Sequence, residues 1–296
     1  MNEFVLNRSA AGHAVNADPA ALVAALDAQA ARHETPCGDG HMVWRRWGSG
    51  PPVVLIHGGS GAWSHWIRNI EALATRHTVW AIDVPGCGES ALPDPLTVEA
   101  LADNVERGLL QLMAGHESVD LVAFSFGSPI ATMLAARLKR RIGNLILLGA
   151  RFVHYSPKPR LKMMKWKTID DPGQRLEAHR HNLEQLMIDD PAKIDAVAVH
   201  IQATNTARTR IAARRWTPGP SEKLHEYFPR VGARRVIVAF GRRDMGGTKI
   251  IENEGKDLRS DQPGVKLHVF ENAGHWVQYE AADAVNEFLL AELAAG

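Results

Sequence analysis

Apolar and polar positions alternate along this chain in a rhythm of short blocks. Dense apolar runs at 53–57, 119–124, 144–149 and 235–240 carry little polar interruption, which is the pattern of strands covered on both faces. Mixed runs at 41–47, 78–83 and 265–270 predict further strands. Helical patterns separate most of these runs, so the chain predicts an α/β fold with a mainly parallel sheet. In such a sheet ligands bind beyond the carboxyl ends of the strands.

An Ala-rich stretch over 18–33 predicts a helix ahead of the sheet, within an N-terminal helical extension spanning 1–39. A final helix over 282–294 closes the core. The rhythm breaks between Arg151 and Ser221, where helical patterns over 174–188 and 193–203 are separated by Pro157, Pro159, Pro172, Pro191, Pro218 and Pro220. We read 151–221 as a helical cap, between core segments 40–150 and 222–296.

Three placements bring chemistry into this frame. The run Leu121-Val122-Ala123-Phe124 ends on Ser125, followed by Phe126-Gly127. A strand turning sharply into a helix there would lift the serine hydroxyl clear of the sheet; the plainer alternative is a serine capping the helix. Asp244 follows the run at 235–240, and His275 follows the run at 265–270. A serine needs a base to become a nucleophile, and the base needs a carboxylate to orient it. The order Ser125, Asp244, His275 meets that need at three strand ends. A further loop, His57-Gly58-Gly59-Ser60-Gly61, offers backbone donors to a developing oxyanion, and we assign that role to the amides of Gly59 and Phe126. Phosphate binding fits poorly, because the G-x-G-x-x-G spacing fails where Ser64 stands.

These segments together resemble the α/β-hydrolase fold family over about residues 40 to 296. The matching pieces are His57-Gly58-Gly59, the D-x-P-G-x-G-x-S loop Asp83 to Ser90, the Ser125 elbow, Gly241-Arg242-Arg243-Asp244 and Gly274-His275. The departures are Ala123 and Ser128, where many members carry glycine. The resemblance implies a serine hydrolase whose cap controls access to the site.

Gly274-His275-Trp276-Val277-Gln278-Tyr279-Glu280 further resembles a segment of meta-cleavage-product hydrolases, which cut carbon–carbon bonds. That likeness implies substrate contacts at Trp276 and at a cap arginine, Arg208 ahead of Arg210; packing and a solvated charge are their plainer readings. Carboxylic ester hydrolysis asks least of the pocket and leads the sequence reading. Carbon–carbon hydrolysis is the alternative, acyl transfer uses the same parts, and a non-catalytic ligand receptor is a third class on the same fold.

Composition narrows the field. Hydrophobic residues make up 45% and charged residues 23% of 296, as in a globular enzyme. The net charge is +1 and no basic-aromatic motif is present, so no nucleic-acid partner is expected. The cap range carries an excess of Lys and Arg, which could draw an anionic small-molecule substrate or simply face solvent. No apolar run is long enough for a membrane span and no leader pattern opens the chain, so the expectation is a cytoplasmic protein without a membrane partner. Cys37 and Cys87 are too few for a disulfide framework, and His179 and His181 are wrongly spaced for an i,i+4 metal pair. No metal or cofactor is expected.

Overall fold

The computed structural model describes residues 18–150, 161–211, 218–244, 256 and 258–295. Among them, eight strands form one sheet: β1 (Ala31–Cys37), β2 (Gly40–Trp47), β3 (Pro52–Ile56), β4 (Thr78–Ile82), β5 (Val119–Phe124), β6 (Ile142–Leu148), β7 (Arg235–Gly241) and β8 (Lys266–Phe270). Their order is β1-β2-β4-β3-β5-β6-β7-β8. The β1/β2 and β2/β4 pairs are antiparallel, and β4 through β8 run parallel. Alternate side chains along each central strand enter opposite cores. Val54, Ile56, Leu121 and Ala123 join helices α3 (Val98–Leu112) and α4 (Gly127–Leu138) on one face. Val53, Leu55, Val122 and Phe124 join α2 (Ile70–Ala74) and the last helix, Ala282–Ala294, on the other.

The segment ahead of the sheet differs from the sequence expectation. Helix α1 covers only Pro19–Ala28, capped by Asp18, whose side chain accepts from the Ala20 amide at 3.0 Å. The helix predicted to residue 33 stops five residues short, and 31–37 is a strand, so the helical extension 1–39 is corrected here over its described part. Local composition hides β1, since Arg32, His33 and Glu34 are polar and it lies at the sheet edge. Pairing decides it: β1 and β2 form a hairpin around Gly38-Asp39, with Gly38 at φ +57°. The Trp44 indole also donates to Thr35 Oγ1 at 2.9 Å. Residues 1–17 of the expected extension lie outside the described residues.

Between β6 and β7 the described residues hold α5 (Pro172–Leu186), α6 (Ala196–Arg208) and α7 (Pro220–Tyr227), with no strand. Asp171 and Asp195 cap α5 and α6 through their side chains, and Pro172 starts α5 where its missing N–H costs nothing. Leu183, Ile188 and Ile201 of this segment share the core that contains Phe124 and Trp276, and α1 packs on α6. By contrast, α7 packs on α4 and so belongs with the sheet. The expected cap stretches 151–160, with Pro157 and Pro159, and 212–217 lie outside the described residues. Among the described residues, no helix is long and apolar enough to cross a membrane.

Candidate active site

Ser125 sits between β5 and α4 with φ +48°, in the left-handed region that non-glycine residues avoid. Its amide donates to Leu148 O at 2.9 Å, and the Ser128 amide closes the turn onto Ser125 O at 2.9 Å. The turn is tight enough that only glycine fits at 127: a Cβ there would lie 2.7 Å from both Ile56 O and His57 O. Backbone strain of this kind persists where surrounding contacts over-determine it. Ala123 and Ser128, the two departures from the usual elbow, are both fully buried.

The three residues singled out from the sequence meet here. His275 Nε2 lies 2.9 Å from Ser125 Oγ, and His275 Nδ1 lies 2.8 Å from Asp244 Oδ2. His275 is 6% exposed and stacks obliquely on Phe124, with ring centroids 5.0 Å apart. The loops bearing acid and base touch directly, since Arg243 N donates to Ala273 O at 3.0 Å. Gly241 permits that approach, because a Cβ there would fall 2.1 Å from Gly274 O. In this arrangement a carboxylate can orient the imidazole and the imidazole can take a proton from the hydroxyl.

The glycine-rich loop lies alongside. Gly59 faces Phe126, so that a Cβ on Gly59 would sit 3.5 Å from Phe126 Cβ. Phe126 occupies the N-cap of α4, where the helix dipole favours negative charge. His57, under this loop, pairs Nδ1 with Gly58 O at 2.7 Å and accepts at Nε2 from the Val84 amide at 2.9 Å. That assigns the Nδ1-protonated neutral tautomer, and burial lowers its pKa. The Asp83 carboxylate accepts from the Trp63 and Glu89 amides and from Arg45, a guanidinium buried to 1% exposure. Arg45 also pairs with Asp27 of α1 and with Glu89, which fastens the N-terminal helix to this loop.

Sequence reasoning passed over His65. It is buried beside His57, Phe124 and Trp276, with ring centroids 5.0–6.0 Å away. Burial, reinforced by His57 and His275, holds its pKa well below the ordinary value. Its position beside the glycine loop was the available signal. Cys87 is also buried; burial pushes its thiol up to about 12, which leaves it unreactive.

Trp276 is completely buried, stacked on Tyr279 at 4.3 Å, with its indole N–H donated to His65 O at 3.0 Å. The expected substrate contact is replaced by packing behind His65. Arg208 ends α6, exposed and without a hydrogen bond or ion pair among the described residues. The lesser candidate, Arg210, is occupied: its amide donates to Gly86 O at 2.8 Å and its guanidinium to Ser90 O. The same end of α6 is tied over the site by Asn205, hydrogen-bonded to Ser64 Oγ at 3.1–3.2 Å.

A mainly parallel sheet carrying a strained serine turn and a serine–histidine–aspartate line defines a class, and the chain belongs to it: residues 51–282 match the α/β hydrolase fold family. Among curated relatives, the chain is 28% identical over 279 residues to the 2-hydroxy-6-oxo-6-phenylhexa-2,4-dienoate hydrolase of Burkholderia cepacia, covering 84% of this chain and 90% of that one. It is also 28% identical to the 2-hydroxy-6-oxononadienedioate/2-hydroxy-6-oxononatrienedioate hydrolase of Comamonas testosteroni, covering 84% and 90%. Among solved structures, a Rhodococcus 2-hydroxy-6-oxo-6-phenylhexa-2,4-dienoate hydrolase aligns with TM-score 0.67 at 22% identity, over 90% of this chain and 99% of that one. A Burkholderia cenocepacia protein named a putative aryl esterase aligns equally well, with TM-score 0.67 at 15% identity, over 90% and 98%. At these identities the structural likeness speaks for the fold alone.

Proposed function

We propose that the chain is a serine hydrolase that cleaves a carbon–carbon bond in a small 2-hydroxy-6-oxo-dienoate-type acid. The carrying observation is the Ser125–His275–Asp244 line, at 2.9 and 2.8 Å, in a chain most of whose first curated relatives are named hydrolases of such 2-hydroxy-6-oxo acids. Those relatives reverse the order suggested by the sequence, where ester hydrolysis led.

In the proposed reaction His275 removes the Ser125 proton as Oγ attacks the 6-oxo carbonyl. The amides of Gly59 and Phe126 hold the oxyanion. With the substrate in its 2,6-dioxo tautomer, the 2-hydroxy proton having moved to C5, collapse breaks the C5–C6 bond; the carbon leaving group keeps the electron pair and takes from His275 the proton that left Ser125. Its charge is conjugated to the 2-oxo acid, which makes a carbon leaving group feasible. Water, deprotonated by His275, then releases the acyl group and restores Ser125. We assign the carboxylate to Arg208, whose guanidinium makes no hydrogen bond or ion pair among the described residues.

Ester hydrolysis stands as the second reading, because Arg208 is exposed rather than enclosed with the triad. The deciding measurement is kcat/KM on a 2-hydroxy-6-oxo-dienoate beside a short-chain aryl ester, with Ser125→Ala as the blank. The proposal expects preference for the dienoate, and a fall of about four to six powers of ten in the blank. Preference for the ester would overturn it.

A further inference from the structure

The segment joining α5 to the short helical turn at Pro191–Lys193 touches both loops that carry the acid and the base. The Glu280 carboxylate, 4% exposed, lies at the centre of the contact. Its Oε2 accepts from the Gly274 amide at 2.7 Å and from the Asp189 amide at 3.1 Å, and its Oε1 accepts from the Asp190 amide at 2.9 Å. On the other side of His275, Trp276 N donates to Met187 O at 2.7 Å. The acid loop is tied to the same place, since Arg243, next to Asp244, pairs with Asp189 at 2.8 Å.

We propose that Glu280 is a positioning residue for His275, and that through it the seat of cap segment 187–190 sets the geometry of the serine–histidine line. The inference rests on the triad reading of the preceding subsection. Three amide donors converge on two oxygens, and only a carboxylate accepts at both without presenting a donor of its own. The residues flanking His275 on either side are therefore held to the cap segment, one through Glu280 and one directly. A cap that shifts at 187–190 carries the imidazole with it.

The test compares wild type, Glu280→Gln and Arg243→Ala in two assays. The first is the second-order rate of Ser125 phosphonylation by a small alkyl fluorophosphonate, which reports the serine–histidine pair without needing the cap to grip a substrate. The second is the division of effect between kcat and KM. Glutamine is isosteric but turns an N–H₂ toward at least one amide. In Glu280→Gln we expect labelling rate and kcat to fall together by about 10- to 100-fold, with KM changed less than about twofold. Rates are taken per folded molecule, from the unfolding curve of each variant. Arg243→Ala, which removes a solvent-exposed ion pair with Asp189 and keeps the residue's backbone amide, is expected to slow labelling by about twofold to fivefold.

Wild-type labelling rates in Glu280→Gln would overturn the inference, as would a raised KM with kcat unchanged, which marks a simple cap anchor. Should Glu280→Gln fail to fold, Arg243→Ala decides alone, and a wild-type rate there overturns it. A wild-type protein that the probe does not label at Ser125 would overturn the triad reading, and this inference with it. Normal wild-type labelling matched by both variants overturns this inference alone.

Discussion

Gly241→Ala measures how closely the acid and base loops must approach. The added Cβ would lie 2.1 Å from Gly274 O and 2.3 Å from Ala273 O, whereas ordinary contact begins at 3.4 Å. Both obstructing atoms are backbone, so no side chain can rotate away, and the histidine loop must retreat by about 1.3 Å. Carried to the imidazole, that displacement stretches the 2.9 Å Ser125–His275 contact beyond hydrogen-bond reach. A misplacement near 1 Å costs about 100-fold in rate, and overpacking costs about 1–3 kcal/mol of stability. Domains typically hold about 5–15 kcal/mol, so the variant stays folded at 25 °C and lost turnover reports geometry. The assay is kcat on whichever substrate the wild type prefers, beside urea unfolding of the same samples. Turnover within twofold of wild type at an unchanged unfolding midpoint would refute the argument. So would a loss that merely tracks the unfolded fraction.

Two further outcomes follow from buried ionisable groups. Arg45→Met leaves the buried Asp83 carboxylate without its cation, although the Trp63 and Glu89 amides remain. A cost of about 3–5 kcal/mol is expected in urea unfolding, with part of it recovered by adding Asp83→Asn; a cost below about 1 kcal/mol would contradict the account. His57 and His65 are buried neutral, with pKa values below the ordinary 6.5. Their contribution is fully present above pH 6.5 and is lost as pH falls below it, because the unfolded chain then takes up protons that the folded one refuses. Unfolding midpoints at pH 7.5, 6.5 and 5.5 should therefore drop at the acid end, with a slope of up to about 1.4 kcal/mol per pH unit per histidine; a flat series would count against the neutral assignment.

Ser125, Asp244 and His275 could be singled out in the sequence because Ser125 directly follows an apolar run, and Asp244 and His275 stand in the short loops four and five residues beyond the runs at 235–240 and 265–270. Strands β2 to β8 were legible from their apolar or mixed runs, within two residues at their starts. The edge strand β1 was not, since its residues are half solvated and only pairing with β2 selects the extended form; the Gly38-Asp39 dipeptide was the signal passed over. Trp276 was offered as a substrate contact because its segment resembles one of meta-cleavage-product hydrolases, but its N–H donates to His65 O, on a residue 211 positions away. Glu280 escaped for a related reason. Its partners are backbone amides, two of them about 90 residues distant, and amides carry no residue-type signature.

The neighbours of β4 bear on how the protein can be shortened. The family match begins at residue 51, yet β4 is paired on its outer side by β2, with Trp44 opposite Ile82 and Trp47 opposite Val79. Cutting at that boundary would strip β1 and β2 and expose the row of unpaired amides along Thr78–Ile82, a segment with four buried apolar residues. Bare apolar edges recruit other chains. A protein trimmed to its recognisable family portion should therefore precipitate, and the first thirty described residues act as a solubility device for the sheet they border.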